Sequence, residues 1–429
     1  MLNRPLVALM LAAVLSLLLA STAMAATRYA APGGTGKDPC ANPERPCSVY
    51  TAAADGAPRT TIEAGDVVEL APGTYYAKEE GEFGYIPPVP LPEGVTLRGE
   101  PGKPRPVIVM PTDSFADSAF YVPEGAEVAN VEIRNLMETA RALNISGGTI
   151  NGVIARSTIT SEPTCSFSWG IVRNSACIAT GGGSAIRINA GVIRDSTLVA
   201  AGLGSIGMEF NSQASKRGMT VKLDVVGGLI SGEEKDVVAK GRPLDNGRGG
   251  RVGIDLSSSG YARVKTEGRV SVTPPGSNGN IRATPWLAGD NLHQLPGSPT
   301  IDQGAVDGTG GGLDVDGQPR AMGAGVDIGV DELDPLAAPL VNAAPNTKFV
   351  DHVIPLGAGS GNPTFFTFGS SGVGSHFECK FDRRRYQVCA SPFLRKVGPG
   401  EHALRVRAVD PQGLADPTPA TYRWRVQPR

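Results

Sequence analysis

Val131-Glu-Ile-Arg-Asn-Leu-Met137 can be laid over Val153-Ile-Ala-Arg-Ser-Thr-Ile159 at an offset of 22 residues. Each is a short run that favours β structure and ends in turn-forming chemistry. An internal offset of that size suits one coil of a solenoid. A second overlay sets Gly152-Val-Ile-Ala-Arg-Ser-Thr-Ile159 on Gly191-Val-Ile-Arg-Asp-Ser-Thr-Leu198, 39 residues further on and close to two coils. Between them lies an excursion bracketed by Cys165 and Cys177 and followed by Gly181-Gly-Gly183. A lone strand of this kind cannot bury its apolar side, whereas stacked coils set Val on Val and Ile on Ile in a continuous core. The pattern predicts Val131, Val153 and Val192 inward in one stack, with Arg134 and Arg156 facing solvent. A β-sandwich of hairpins is the competing architecture, but the period exceeds a typical hairpin unit.

Composition agrees with many short strands and corners. The chain has 429 residues, with 56 Gly, 35 Pro and only 6% aromatics, unlike a helical globular chain. Gly, Asn and Ser suit sharp corners that need positive φ or side-chain-to-backbone bonds. The size allows a large core without help from metals or disulfides. Forty basic and 42 acidic residues leave a net charge of −2, which points neither to nucleic acid nor to an anionic membrane surface.

Residues 1–25 read as a signal peptide: Arg4, an apolar core from Leu6 to Leu19 broken by Ser16, and Ala23-Met-Ala25 as a cleavage site. No later segment is apolar enough to span a bilayer, so the mature protein is expected outside the cell, secreted or at its surface. Six cysteines permit fifteen connectivities, and proximity favours Cys40 with Cys47, Cys165 with Cys177 and Cys379 with Cys389. None has the spacing of a zinc or redox pair.

Working outward, Thr27-Arg-Tyr-Ala-Ala-Pro-Gly-Gly-Thr-Gly36 leads to Cys40 and Cys47, Gly65-Asp-Val-Val-Glu-Leu-Ala-Pro-Gly-Thr-Tyr75 holds a short β run closed by Pro72-Gly73, and a short helix at about Val49 to Ala54 is placed to cap an open end. Residues 205–290 are less regular. Glu233 to Lys240 and Gly241 to Arg251 read as polar loops, and Gly253-Ile-Asp-Leu256 and Ala262 to Glu267 as strands. Then come Leu295-Pro-Gly-Ser-Pro-Thr-Ile-Asp-Gln-Gly304, Asp314-Val-Asp-Gly-Gln-Pro-Arg320, Gly325-Val-Asp-Ile-Gly329 and Asp331-Glu332. This text resembles the closing segment of secreted right-handed parallel β-helix proteins of the pectin-lyase-like superfamily. The resemblance implies a β-helix over residues 26–334 whose last coil this stretch closes. Such a fold serves as enzyme, adhesin and scaffold alike.

A Pro/Ala-rich linker, residues 335–345, marks a domain boundary. Beyond it, Phe366 and Phe368 alternate with Phe365 and Thr367. Leu404, Val406 and Ala408 alternate with Arg405 and Arg407, and Tyr422, Trp424 and Val426 repeat the pattern. Residues 346–429 resemble an Ig-like module common at the ends of bacterial secreted proteins, with Arg383-Arg-Arg385 in place of a small hairpin tip.

Several local motifs lack the context their chemistry needs. Gly202-x-Gly204-x-x-Gly207 precedes no apolar helix, and Gly33-Gly-Thr-Gly-Lys37 is followed by Asp38 where a phosphate loop needs Ser or Thr. The four histidines, His293, His352, His376 and His402, form no zinc pair, and no nucleophile elbow occurs. Asn144-Ile-Ser146 is a glycosylation sequon. Carboxylates are the serious candidates, since glycosidases of this class set paired acids across the scissile bond and lyases pair a base with a cation. The coil-borne polar residues are Glu132, Arg134, Arg156, Arg187, Arg194 and Asp195. Arg134, Arg156, Arg187, Arg194 and Asp195, with the tip residues Arg383, Arg384 and Arg385, are the candidate polymer-binding set. Asp314-x-Asp316-Gly317 resembles a fragment of a calcium loop without its later ligands; it reads first as a hydrogen-bonded structural turn with no cofactor expected, and a structural Ca²⁺ on Asp314 and Asp316 is the alternative.

The sequence therefore predicts an exported all-β protein, a right-handed parallel β-helix followed by a small Ig-like β-sandwich. No acid/base set stands out. The expected function is non-catalytic binding of a polysaccharide or cell-envelope polymer along the solenoid. A polysaccharide lyase or glycoside hydrolase is the alternative.

Overall fold

The computed structural model describes residues 25–428 except 37–38, 54–61, 77–88, 111–116, 138–139, 159–160, 214–219, 243–250, 306–311, 338–339 and 355–362. The signal peptide thus lies outside the described residues but for Ala25. Among the described residues the chain is nearly all β, with one short helix, Val49–Ala53, beside the first strand.

Three long parallel sheets of ten, seven and eight strands form a parallel β-helix. Each coil visits them in turn. One coil runs through Glu127–Ala129, Glu132–Asn135 and Leu143–Ile145, and the next through Thr149–Asn151, Ile154–Ser157 and Cys165–Phe167. The offset of 22 holds, because Glu132 pairs with Ile154 and Arg134 with Arg156. Val131 and Val153 are fully buried as expected.

The corner from the ten-stranded to the seven-stranded sheet is made by one left-handed residue per coil. These are Asn130, Gly152, Asn174, Asp195, Gly227 and Ser258, with φ between 43° and 67°. Asn, Asp and Gly tolerate that region best. They lie 22, 22, 21, 32 and 31 residues apart. Coil length therefore changes after Asp195, which is why residues 205–290 read as irregular.

Several expectations are corrected. Gly152 is a corner, whereas Gly191 opens a strand of the ten-stranded sheet, so the 39-residue overlay joins different sides of the coil. Val192 accordingly pairs with Ile171 and Asp224 on the outer side, and Ile193 is the inward residue. All three sides carry similar β runs, so local text does not say which side a run occupies. Cys165 to Cys177 is not an excursion but most of one coil. Cys165 pairs with Leu143 and Ile186, Cys177 with Ala155 and Leu198, and their disulfide crosses the buried interior. The Cys40–Cys47 and Cys379–Cys389 disulfides also form as paired by proximity. Lys235–Arg242 is a strand rather than a loop, with Val237 and Ala239 inward, and Arg251 begins the strand Arg251–Ser257.

The closing segment does not close the last coil. It lies on the outer face of the seven-stranded sheet. That face is apolar: Ile154, Ala176, Ile178, Val199 and Leu229 pack against Leu292, Val315, Ile328 and Val330 in a second core. The strands Ala176–Ala179 and Thr197–Ala200 are therefore buried on both faces. Polar ties run along the seam: Val330 N donates to Thr197 Oγ1 at 3.0 Å, Gly329 N to Gly227 O at 3.0 Å, and Arg156 Nη1 to Asp290 O at 2.6 Å.

The C-terminal region is a small antiparallel β-sandwich of a three-stranded and a four-stranded sheet. Phe366, Phe368, Leu404, Val406, Ala408, Trp424 and Val426 fill its core, as the alternation predicts. It touches the closing segment: Val373 joins the second core, and Asn291 bonds Ser371 O and Val373 N.

Gly329 is where the seam is tightest. It has φ 111°, and a Cβ there would meet Thr197 Oγ1 at 2.8 Å and Leu229 Cβ at 3.1 Å. Gly329→Ala is expected to cost about 2 kcal/mol or more. The check is a denaturant titration with limited proteolysis; an unchanged midpoint and an uncut closing segment would count against this packing.

Candidate functional site

The acids of the closing segment mostly serve its own backbone. Asp314 Oδ1 accepts the amides of Asp316 and Gln318 at 2.9 and 2.7 Å, and its Oδ2 accepts Glu332 N at 3.2 Å. Asp327 takes Asp302 N at 2.7 Å and Leu333 N at 2.9 Å, and Glu332 takes Asp327 N at 2.9 Å and Met322 N at 3.2 Å. Arg320 Nη2 donates to the carbonyls of Asp327 and Gly329 at 3.1 and 2.8 Å. A loop that lies on a sheet without pairing into it must satisfy its amides from side chains, and acids at these offsets do so. This is the physical content of the acid-rich closing text.

One cluster exceeds that role. His293 Nδ1 bonds Asp290, and Nε2 bonds Asp316 at 2.8 Å. Asp331 stands close by, so that the nearest donor atoms of His293, Asp316 and Asp331 lie within 4.8 Å of one another. The cluster opens on a cavity of about 630 Å³ that Asp302, Glu332 and Asp334 also line. The bonds to Asp290 and Asp316 hold His293 up at about 10, so the ring is a cation at neutral pH. Burial works to raise Asp290, but the His293 bond and charge and two backbone amides outweigh it and leave it at about 2. The His293 bond likewise lowers Asp316. Burial pushes Asp331 up to about 6 against the pull of the Gln294 amide, and pushes Glu332 up to about 7. Two neighbouring acids, Asp316 and Asp331, thus have pKa values driven apart.

Asp314 accepts three amides, and Asp316 bonds an imidazolium with the Arg105 guanidinium near it. Calcium takes six to eight oxygens, so an ion on this pair would need ligands from elsewhere. Asp290 behind His293 does resemble the carboxylate that orients a metal-bound imidazole, but a cation there must first displace the ring proton.

The other predicted site residues fall on different faces. Arg134 and Arg156 are neighbours on the seven-stranded sheet and share Glu132, at 2.8 and 3.5 Å. Arg156 is held under the closing segment, while Arg134 stays half-exposed. Arg194 lies on the ten-stranded sheet and donates to Ile193 O and Asp224 O. Asp195 is buried at its left-handed corner, 3.9 Å from Arg320. It does not share an open wall with the arginines, because the corner is covered.

Arg187 belongs to an open column on the eight-stranded sheet. In register these are Tyr121, Asn144, Ser166, Arg187 and Glu209, one from each of five consecutive coils. Arg187 bonds Glu209 at 3.1 Å, and Trp169 stands half-exposed at the next corner, over Gly147. Sequence reading missed this column because its members are dissimilar and only the coil register aligns them. In the sandwich, Arg383, Arg384 and Arg385 are all exposed, and the first two line a groove with Lys380, Arg405, Arg423 and Arg425.

The three raised groups, His293, Asp331 and Glu332, give one sign, whereas the lowered Asp290 and Asp316 change stability only in the acid range. Each raised group has a folded pKa above its unfolded value, so each contribution is complete below the unfolded pKa and is lost as pH rises through the folded one. Stability of the closing segment is therefore expected to fall steadily from about pH 5 to pH 10. His293→Gln should remove the part lost between its unfolded value of 6.5 and about 10. Urea midpoints measured across this range for both proteins test it; parallel curves would exclude the His293 contribution.

Comparison with protein-family models, with curated proteins and with solved structures gives no match for this chain.

Proposed function

We propose that the protein is an extracellular β-helix protein that binds a polysaccharide or cell-envelope polymer along the eight-stranded face of its solenoid, without catalysis. The observation that carries the reading is the column Tyr121, Asn144, Ser166, Arg187 and Glu209. Coils repeat about every 4.8 Å, a spacing comparable to the length of a sugar ring. A linear polymer can therefore meet a polar side chain at each rung. Aromatic residues at the edge, Tyr121 and Trp169, suit sugar faces. Of the other faces, the seven-stranded one is covered over Ile154, Ala176, Ile178, Val199 and Leu229. The ten-stranded one carries Ile171 and Val192 outward, and its charges pair internally, as in Lys222 with Asp224 and Asp255 at 2.8 Å. Three disulfides suit an extracellular setting, and among the described residues no helix is long and apolar enough to cross a membrane. The closing text and the coils together support placement with the pectin-lyase-like β-helix proteins, and the sandwich supports an Ig-like module.

A second reading, a polysaccharide lyase or glycosidase, is favoured by the Asp316 and Asp331 pair with its separated pKa values beside a cavity. Asp331 is also a backbone cap, accepting Gln294 N at 2.7 Å, and this weighs toward structure.

Equilibrium binding to a panel of neutral and acidic polysaccharides tests the first reading. Tyr121→Ala combined with Arg187→Ala is expected to weaken the best ligand by about tenfold or more. Undiminished affinity would remove this face. Reducing-end and unsaturated-uronate assays on the same panel should stay at background. Turnover abolished by Asp331→Asn in a folded protein would establish the second reading instead.

A further inference from the structure

The C-terminal sandwich concentrates positive charge that the rest of the chain lacks. Residues 346–429 hold twelve Lys and Arg against six Asp and Glu, while the whole chain holds 40 against 42. The strand register gathers much of this charge on one face. In the four-stranded sheet Arg405 lies across from Lys380 on one side and Thr421 on the other, Ala403 across from Arg423, and Glu401 across from Arg425. Alternate residues share a face. Lys380, Arg405, Arg423 and Arg425 therefore face outward together, while Leu404, Val406, Trp424 and Val426 fill the core. Arg383 and Arg384, at the adjoining turn, complete a groove of about 1300 Å³.

These cations are not neutralised within the protein. Arg407, on the same face, is paired with Glu378 at 2.6 Å and lies over the Tyr386 ring. Lys380, Arg383, Arg384, Arg405, Arg423 and Arg425 form no ion pair among the described residues. Of the acids in the groove, Asp382 is taken by His402 at 3.0 Å and by the Ala403 amide at 2.8 Å, which leaves Glu401, across from Arg425, against six cations. Trp424 lies beneath the arginines, and its Nε1 is a donor with no acceptor among the described residues. Like charges that outnumber their counter-charges raise the local potential and cost the fold some stability. Turn or strand chemistry does not require them.

We propose that this face is a second binding site, separate from the solenoid, for a linear acidic polysaccharide. Lys380 and Arg405 are neighbours about 5 Å apart across strands, and Arg423 and Arg425 lie about 7 Å apart along the next strand, so carboxylates recurring along a chain can meet successive cations. The ring in the groove is buried, which leaves no platform on which the bases of a single-stranded nucleic acid could stack.

The test uses the whole mature protein and fluorescent polygalacturonate oligomers. Affinity is expected to fall more than about tenfold between roughly 0.05 M and 0.5 M salt. Arg405→Ser, Arg423→Ser and Arg425→Ser combined should weaken it by about tenfold or more, while Lys at all three positions, which keeps the charge and loses the fork, should bind more tightly than the Ser protein and keep the salt dependence. The Lys protein keeps the result interpretable if the Ser protein folds poorly. The solenoid variant with Tyr121→Ala and Arg187→Ala should bind this probe normally. Unchanged affinity in the Ser protein, or indifference to salt, would overturn the site. Loss of binding in the solenoid variant would assign the probe to the solenoid. Tighter binding of a DNA duplex than of polygalacturonate would overturn the choice of polysaccharide.

Discussion

Over the strands from Ile154 to Leu229 the seven-stranded sheet is largely apolar on both of its faces, and the rest of the architecture answers to that. Its inner side belongs to the coil interior. Its outer side presents Ile154, Ala176, Ile178, Val199 and Leu229, which water disfavours by roughly 25 cal/mol per Å² left exposed. A solenoid face of this kind needs a second layer. The segment from Ile281 to Glu332 supplies it with Leu292, Val315, Ile328 and Val330, and its acids then satisfy the amides of a loop that has no sheet partner. The acid-rich text and the apolar strands are two halves of one requirement.

Much of the solenoid was legible because its physics is local and periodic. The 22-residue offset between Val131 and Val153 reports a stacked core, and that stack exists. The overlay of Gly152 on Gly191 failed because a coil has three similar sides and sequence similarity does not number them. The true equivalents of Gly152 are Asn174 and Asp195, residues alike in tolerating positive φ rather than in side chain. The sandwich strands were legible from alternation alone. Arg405 was read as outward, but the row it forms with Lys380, Arg423 and Arg425 depends on antiparallel register, which the sequence does not display. The polar column from Tyr121 to Glu209 was hidden for the same reason in parallel form. The position of the closing segment was not legible, since its motif describes its internal bonds and not the surface it lies on.

Burial and pairing divide the closing segment's charges into two kinds. Asp290 and Asp316 face the His293 cation and are stabilised as carboxylates. Asp331 and Glu332 accept amides, with His293 and Arg320 near but not bonded to them, and burial pushes them toward neutrality. Desolvation therefore wins wherever no full counter-charge is in contact, and loses where one is. The same comparison separates the faces of the solenoid. Charges on the ten-stranded sheet sit in pairs within reach of water and contribute little. Those along the seam are few and almost all satisfied.

The sandwich is bound into this arrangement rather than merely tethered. Val373 enters the second core, Asn291 bridges to Ser371 and Val373, and Glu233 of the solenoid reaches the Ser370 amide, its carboxyl pushed up to about 7 by burial. Deleting the sandwich would uncover Val373's contacts in the layer that protects the seven-stranded sheet. The module's docking edge and its basic face lie on different parts of its surface. Val373 and Ser371 belong to the turn before the strand His376–Phe381, whereas Lys380, Arg405, Arg423 and Arg425 face outward from the sheet. The contact that stabilises the closing segment therefore leaves the cationic groove free, and a polymer held there need not compete with the packing that the solenoid requires.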